Sequence, residues 1–510
     1  TFLTNLPDDF RFVLALQEAS VVGIADGYAQ ATRRPALVNI HTAAGLGNAL
    51  GNLATVYLNR TPLLVTAGQQ TREMLLMEPL LTNVEPETFP RPWVKWAYQP
   101  VRPQDVPAAF MRAYATAVQP PAGPVFLSLP LDDWEAPALG AAEVRTVATR
   151  TAPDPSRLGE LAAAIDRSEH PALVFGAAVA RGGGWDAAVQ LAEKLDAPVW
   201  AAPASERAPF PETHPRYVGG LPFAKGPLAE HLAGHDLVVV IGAPVFRYYP
   251  WVQGSYLPEG ARLWHVTDDP REAARAPVGD SLLADAVLAV EALLPLVRAR
   301  ECQRPVPAPL PHRMAPQPAS PEADADPLSA RAVFDALRGA CPDDTVLVEE
   351  SPSNLADLHA AWPIEHPDSF YTFASGGLGW NLPASVGIAL GERDIGRGRP
   401  VLAIIGDGSF QYSVQSIWTA ARLELPILFV VLRNGEYAIL KSFAVLEKTP
   451  GVPGLDLPGI DIVALALGYG CAAARPTTAA EIADEVAAAR RRPGPTVLEI
   501  PINPVVPPLL

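Results

Sequence analysis

Two short breaks in the last third of the chain carry oxygen ligands at matching places. Gly406-Asp407-Gly408 interrupts the apolar run Val401–Ile405, and Arg433-Asn434-Gly435 interrupts the next one, Ile427–Leu432. Both runs have the continuous apolar character of strands buried on two faces of a parallel sheet. Between them Val414, Ile417, Trp418 and Ala421 repeat at the spacing of one helix face, and Pro426 closes the segment. Strand, helix and strand in this order predict a right-handed crossover between parallel neighbours. Asp407 and Asn434 are then expected at one sheet edge, in the crevice where open α/β sheets bind ligands. A carboxylate, an amide oxygen and nearby main-chain carbonyls suit a hard cation such as Mg2+, which completes its shell with water and ligand phosphates. Taken singly, either break is most simply a turn after a buried strand; the matched pair points to a site.

Two titratable residues near the start could also do chemistry. Glu18 opens a largely apolar helix in LALQEASVVGIADGYAQA. It is either a surface residue or a buried carboxylate, and burial without a partner is costly. His41 follows a strand and precedes TAAGLGNALGN. An imidazole there is either a hydrogen-bonded loop residue or a proton carrier, since imidazole titrates near neutrality.

The elements that must hold these residues read as α/β throughout. Residues 1–150 form a first unit, with helix Glu18–Ala31, strand Ala36–Ile40, a Gly-rich stretch His41–Gly51 leading to a helix, and strands Leu63–Ala67 and Pro124–Leu129. The aperiodic, Pro-containing run 136–155 is its connector. Residues 156–302 form a second unit, with strands Ala172–Phe175, Val199–Ala201, Leu237–Ile241 and Leu263–Val266 and a helix Trp185–Leu195. Its glycine-rich GAAVARGGG at 176–184 lacks the G-x-G-x-x-G spacing, so a scaffold is expected there, not a dinucleotide site. Residues 303–327 are a Pro-rich linker, and 328–510 form the third unit. The predicted fold class is three tandem doubly wound α/β domains.

Composition narrows the function classes. A net charge of −16 over 510 residues argues against general nucleic-acid binding. No apolar run approaches the ~18 residues of a membrane span, and Thr1–Arg11 has no signal-peptide pattern. Cys302, Cys341 and Cys471 are isolated, so neither a disulfide framework nor a thiolate metal site is indicated. A reducing, cytoplasmic setting is expected.

The Gly-Asp-Gly and Asn pair resembles the diphosphate-binding motif of thiamine-diphosphate enzymes, and three tandem α/β units resemble their 2-keto-acid decarboxylase branch. NIHTAAGLGNALGNL, LLVTAGQQTR, GPVFLSLPLDDW, VVIGAPVFRY and PGLDLPGIDI carry the likeness through nearly the whole chain, toward the benzoylformate decarboxylases. The resemblance implies thiamine diphosphate held through Mg2+, or Ca2+ in its place, by Asp407, Asn434 and the Glu436 carbonyl. Gly406, Gly408 and Tyr437 would line the same grip, and Ser351, Ser353 and Ser409 would reach the diphosphate by a looser likeness. Glu18 would bond the aminopyrimidine ring and favour the tautomer that removes the thiazolium C2 proton. The resulting ylide would add to the keto acid, CO2 would leave to give an enamine, and protonation would release the aldehyde. His41 would move protons on the adduct. The Gly376 carbonyl would accept from the aminopyrimidine amino group. Leu378, by itself readable as a core leucine, would wedge beneath the rings. Leu80, Leu81, Phe373, Ile439, Leu440 and Phe443 would hold an aromatic ring. The implied reaction is benzoylformate to benzaldehyde and CO2. The implied partners are a small 2-keto acid and further copies of the chain, at least a dimer and commonly a tetramer, with no nucleic acid and no membrane.

Two departures from the family pattern matter. Tyr249 stands where the family has a second histidine after VFRY, and phenols titrate near ~10. Slow decarboxylation, a different substrate or aldehyde carboligation are the alternatives this opens; a silent cofactor-binding paralogue is the alternative opened by the second departure. The family also places a helix, a strand and a serine-bearing loop before the segment that starts here at Thr1. A chain truly beginning there would expose a strand edge and lack that serine, and is expected to be unstable and weakly catalytic.

Overall fold

The computed structural model describes Leu3, residues 6–300 and residues 327–509. The expected linker 303–327, Pro327 apart, and Cys302 lie outside the described residues. Among the described residues three parallel sheets follow one another in chain order. The first has four strands, in the order Ala36–Ile40, Leu63–Gln69, Val125–Pro130, Ala97–Tyr98. The second has six, in the order Asp280–Leu283, Arg262–Thr267, Leu237–Ile241, Pro171–Phe175, Val199–Ala201, Tyr217–Gly220. The third has six, in the order Phe370–Tyr371, Val346–Glu350, Val401–Gly406, Ile427–Arg433, Thr496–Pro501, Ala472–Ala474.

The central strands are apolar from end to end because both faces are covered. In the third sheet Val401, Ala403, Ile405, Phe429 and Val431 face one buried cluster, while Leu402, Ile404, Leu428 and Val430 face another. That alternation places neighbouring side chains on opposite faces, each with its own helical cover.

Two sequence expectations need correction. The glycine-rich stretch after His41 is itself helix, Thr42–Leu58. Its Leu46, Ala49, Leu53 and Val56 bury one face, and that apolar period outweighs the intrinsic cost of glycine. The segment after Gly406 is two short helices, Asp407–Phe410 and Ser416–Arg422. Ile417 and Ala420 enter the core, whereas Trp418 stays half-buried.

The first and third units meet through the helices Glu18–Thr32 and Asn381–Asp394. Gly23 and Gly27 on one, and Gly387 and Gly391 on the other, recur at four-residue spacing and remove the side chains from the crossing. A methyl on Gly27 would drive into the Ala384 carbonyl, and one on Gly387 into the Ile24 carbonyl. Charged contacts fasten the second unit: buried Arg207 pairs with Asp368 at 2.9 Å and donates to the Gln30 carbonyl at 2.9 Å. Arg60 pairs with Asp269 and, at 2.8 Å, with Glu272. Among the described residues no helix is long and apolar enough to cross a membrane.

Candidate active site

The carboxyl ends of two adjacent strands in the third sheet place Asp407 and Asn434 side by side. Val401–Gly406 pairs in parallel with Ile427–Arg433, Gly406 lying opposite Leu432. The Asp407 carboxylate is buried and accepts the Gly408 N–H at 2.8 Å and the Gly435 N–H at 2.7 Å. Burial is the larger influence and raises its pKa above the ordinary value. Asn434 Oδ1 accepts the Glu436 N–H at 3.1 Å, and Gly435 turns the loop at φ 72°. The loop is braced by 455–457: Tyr437 N–H donates to the Leu455 carbonyl at 2.8 Å, and Leu457 N–H to the Gly435 carbonyl at 2.7 Å. Lys441 pairs with the Glu436 carboxylate and, at 2.7 Å, with Asp456.

The donor set is all oxygen, and the hydrogen bonds found for the buried carboxylate come only from main-chain N–H groups. These residues fit a hard dication with a phosphate partner. No group of three His, Cys, Asp or Glu side chains suited to a metal occurs among the described residues. One carboxylate, one amide and a main-chain carbonyl do not need one. Gly408 lets the Tyr437 ring approach, since a Cβ there would lie 2.5 Å from Cε1. Ser409 is buried beside this turn, and Ser353 is half-buried in the turn Pro352–Asn354. Ser351 is buried and its hydroxyl donates to Glu349 at 3.3 Å.

The loop Phe373–Gly379 stands beside this edge. Gly376 is exposed at φ 73°, and Gly379 has φ 101°. Leu378 is half-buried and lies outside the apolar core clusters described for the third unit, unlike Phe373, which packs on Trp380 at 6.2 Å between ring centroids.

Glu18 and His41 are contributed by the first unit. Gln17 caps the Glu18–Thr32 helix by accepting the Ser20 N–H at 3.2 Å, which leaves Glu18 in the first turn, half-buried. Its carboxylate accepts from Asn48 Nδ2 at 3.1 Å and lies over Gly45, where a Cβ would stand 2.9 Å from Oε1. His41 is exposed just before Thr42–Leu58, and its carbonyl accepts the Gly45 N–H at 2.7 Å. Glu18, at the start of one helix, thus meets Gly45 and Asn48 of the helix that His41 precedes.

Tyr249 belongs to the second unit and meets the third. It is 67% exposed, and its ring lies 4.9 Å from that of Phe443 at 49°. The apolar pocket residues come from separate elements. Leu80 (89% exposed) and Leu81 stand on a loop of the first unit. Phe373 faces the core, and Ile439, Leu440 and Phe443 lie on the helix Ala438–Leu446. Neither of the two small cavities described is lined by any of them.

Buried groups that sequence reasoning passed over stand behind these residues. Glu350 accepts three N–H groups at the start of the Asn381–Asp394 helix. Asp26 accepts from Asn59 Nδ2 at 2.8 Å and Trp380 Nε1 at 2.5 Å, joining the first unit to the third. The sequence signal for the first was an acidic pair, Glu349-Glu350, ending the apolar run Val346–Val348. Asp26 left only a lone acid in an apolar helix. Cys341 and Cys471 are unpaired, and burial pushes their thiols up to about 11 and about 12.

Comparison with known proteins agrees with this arrangement. Residues 2–87, 158–293 and 353–500 match the N-terminal TPP binding, central and C-terminal TPP binding domains of thiamine pyrophosphate enzymes. Over 509 residues the chain is 43% identical to benzoylformate decarboxylase of Pseudomonas aeruginosa, covering 99% of this chain and 94% of that one. The crystal structure of benzoylformate decarboxylase from Polynucleobacter necessarius superposes with a TM-score of 0.96 at 53% identity, over 99% of this chain and 94% of that one. The thiamine diphosphate-dependent 4-hydroxybenzoylformate decarboxylase of Rhodococcus jostii RHA1 gives 0.91 at 40%, over 98% and 94%. With three sheets in tandem, an oxygen-lined strand edge in the last and relatives matched almost end to end, the chain belongs to the thiamine pyrophosphate enzyme family.

Proposed function

We propose that the chain decarboxylates an aromatic 2-keto acid, benzoylformate or a ring-substituted relative, with thiamine diphosphate and Mg2+. The observation that carries this reading is the likeness, over 99% of the chain, to a benzoylformate decarboxylase. Asp407, Asn434 and the Glu436 carbonyl would hold the Mg2+, with Ca2+ as a substitute, and Gly406, Gly408, Ser409 and Tyr437 would shape the diphosphate seat. When bound, the cofactor supplies a carbon nucleophile and a sink for the electrons left by departing CO2. The chain supplies orientation and proton movement. Glu18, steadied by Asn48, holds a proton against the ring end. His41, exposed at a helix start, passes protons to the reacting carbon.

The first unit, within 1–150, takes the ring end of the cofactor and the third, within 328–510, takes its diphosphate end. The polar contacts found for the Glu18 carboxylate come from the first unit, and those of the Asp407 edge from the third. We therefore propose at least a dimer, one protomer presenting Glu18 to its partner's diphosphate edge. Exposed Leu76, Met77, Leu80 and Val84 on the first unit fit burial against a second copy.

One observation favours a second outcome at the same site. Tyr249 offers a phenol where an imidazole would move protons more readily at neutral pH. Slower protonation leaves time for an aldehyde to capture the activated carbon, which is carboligation. A CO2-release screen over aromatic and aliphatic 2-keto acids, with thiamine diphosphate and Mg2+, tests the main reading. Benzoylformate is expected to give CO2 and benzaldehyde. Heat stabilisation by the cofactor with no CO2 from any acid would sink it, and a hydroxyketone formed on adding acetaldehyde would mark the second outcome.

A further inference from the structure

The strand Val346–Glu350 ends on two buried glutamates that face opposite sides of the sheet. Glu349 serves one side, accepting the Thr372 hydroxyl at 2.8 Å and the Ser351 hydroxyl at 3.3 Å. Glu350 serves the other. Its Oε1 accepts the Gly379 N–H at 2.6 Å, and its Oε2 accepts the N–H groups of Trp380 at 2.9 Å and Asn381 at 2.6 Å. Helix starts leave such N–H groups without intrahelical partners. They are usually met by a small polar side chain next to the helix. Here the acceptor is a carboxylate from another strand, 29 to 31 residues earlier.

This choice is costly. A carboxylate with no exposed surface is disfavoured, and burial raises Glu350 to about 8 although three N–H groups point at it. What it secures is the place of a loop. Upstream, the Ala374 N–H donates to Asn59 Oδ1 at 2.9 Å, and the Ser375 hydroxyl meets that of Thr55 at 2.8 Å. Downstream, Glu350 holds Gly379 to Asn381. Between the two ties only Gly376, Gly377 and Leu378 project. Glu350 is also the register partner of Ile405, two residues before Asp407 on the adjoining strand. The clamp and the diphosphate edge are thereby keyed to neighbouring strands of one sheet.

We propose that Glu350 is a positioning residue for the ring end of the cofactor: its carboxylate sets where the Gly376 carbonyl and Leu378 stand relative to Asp407. This rests on reading Gly376–Leu378 as the support beneath the cofactor rings. Glu350 touches neither cofactor nor substrate; it acts through the loop.

The test is Glu350→Gln, measured above about pH 8 so that the parent carboxylate is ionised; it keeps the size but replaces one acceptor oxygen by a donor that must face a main-chain N–H. In the cofactor-free variant, amide hydrogen exchange of residues 376–381 is expected to rise at least ~10-fold with the rest of the third unit unchanged. Thiamine diphosphate plus Mg2+ should still raise Tm as in the parent, because the Asp407 edge is untouched. The thiazolium C2 hydrogen of the bound cofactor should exchange with D2O at least ~10-fold more slowly, with kcat lowered and KM for the keto acid little changed. Parental exchange at both the loop and C2 would overturn the proposal. If Glu350→Gln does not fold, Glu350→Asp carries the same measurements, and parental rates there overturn it equally. Failure of the parent to release CO2 would count against the reading of function; the two exchange measurements need no keto acid and judge the clamp separately.

Discussion

The ring of Tyr249, from the second unit, lies 4.9 Å from the ring of Phe443 on the Ala438–Leu446 helix of the third. Two residues almost two hundred positions apart in sequence thus share one aromatic contact between the second and third units. Tyr249→His keeps a flat ring on Phe443 and adds a group that carries protons near neutrality. Benzoylformate turnover is expected to rise about 10-fold, below the ~10²–10⁴-fold that a fully positioned general acid–base group supplies. Unchanged or lower kcat would show that Tyr249 is not a weakened proton-transfer position.

Asp407→Asn removes the charge that would meet the cation but can keep an oxygen toward Gly435. Cofactor-free stability is expected to stay within about 1 kcal/mol of the parent. The rise in Tm with thiamine diphosphate plus Mg2+ should vanish, whereas a site filled at ~100 times Kd stabilises by about 2.7 kcal/mol. Thermal melts with cofactor and Mg2+, and again with chelator, check this; a retained shift in the variant would remove Asp407 from the grip.

Glu350 gives the cofactor-free fold a pH dependence of known sign. Burial raises its pKa from the ordinary 4.5 to about 8, against the pull of the three N–H groups it accepts. Between those values the folded chain keeps a proton that the unfolded chain releases. Its contribution is therefore full below about 4.5 and lost as pH rises through about 8. Urea melts from about pH 6 to about pH 9 should show stability falling, and Glu350→Gln should flatten the fall. Asp26 and Glu349, also raised by burial, leave part of the slope in place.

Gly27→Ala or Gly387→Ala would thrust a methyl into a main-chain carbonyl of the opposing helix. Two backbones already in contact cannot yield as a side-chain tip can, so a loss of about 3 kcal/mol is expected. Denaturant unfolding should show it as a lower midpoint. Gly159→Ala, with open space around the Cβ, is the control and should be neutral or slightly stabilising.

Much of the fold was legible because parallel strands buried on both faces leave uninterrupted apolar runs. Leu237–Ile241 and Val199–Ala201 agree to the residue, and Val401–Ile405 is one residue short. Short strands such as Ala97–Tyr98 and Phe370–Tyr371 leave too few residues for any period. The Gly-rich stretch His41–Gly51 reads as leading to a helix, yet from Thr42 on it is helical itself, one of its glycines making room for Glu18.

The sequence by itself determined the oxygen-bearing strand ends: a charged or amide residue that breaks a buried run must emerge at the sheet edge, whatever surrounds it. It determined Glu18 as a carboxylate at the start of an apolar helix for the same local reason. Only the tertiary structure decided the partners. Trp380 reaches Asp26 across 354 residues, Glu350 reaches the start of a helix it does not adjoin, and Tyr249 finds Phe443. Periodicity reports that a side chain is buried, because burial follows the spacing of its own element. Which donor it meets depends on how separate sheets and helices pack, and no local pattern carries that.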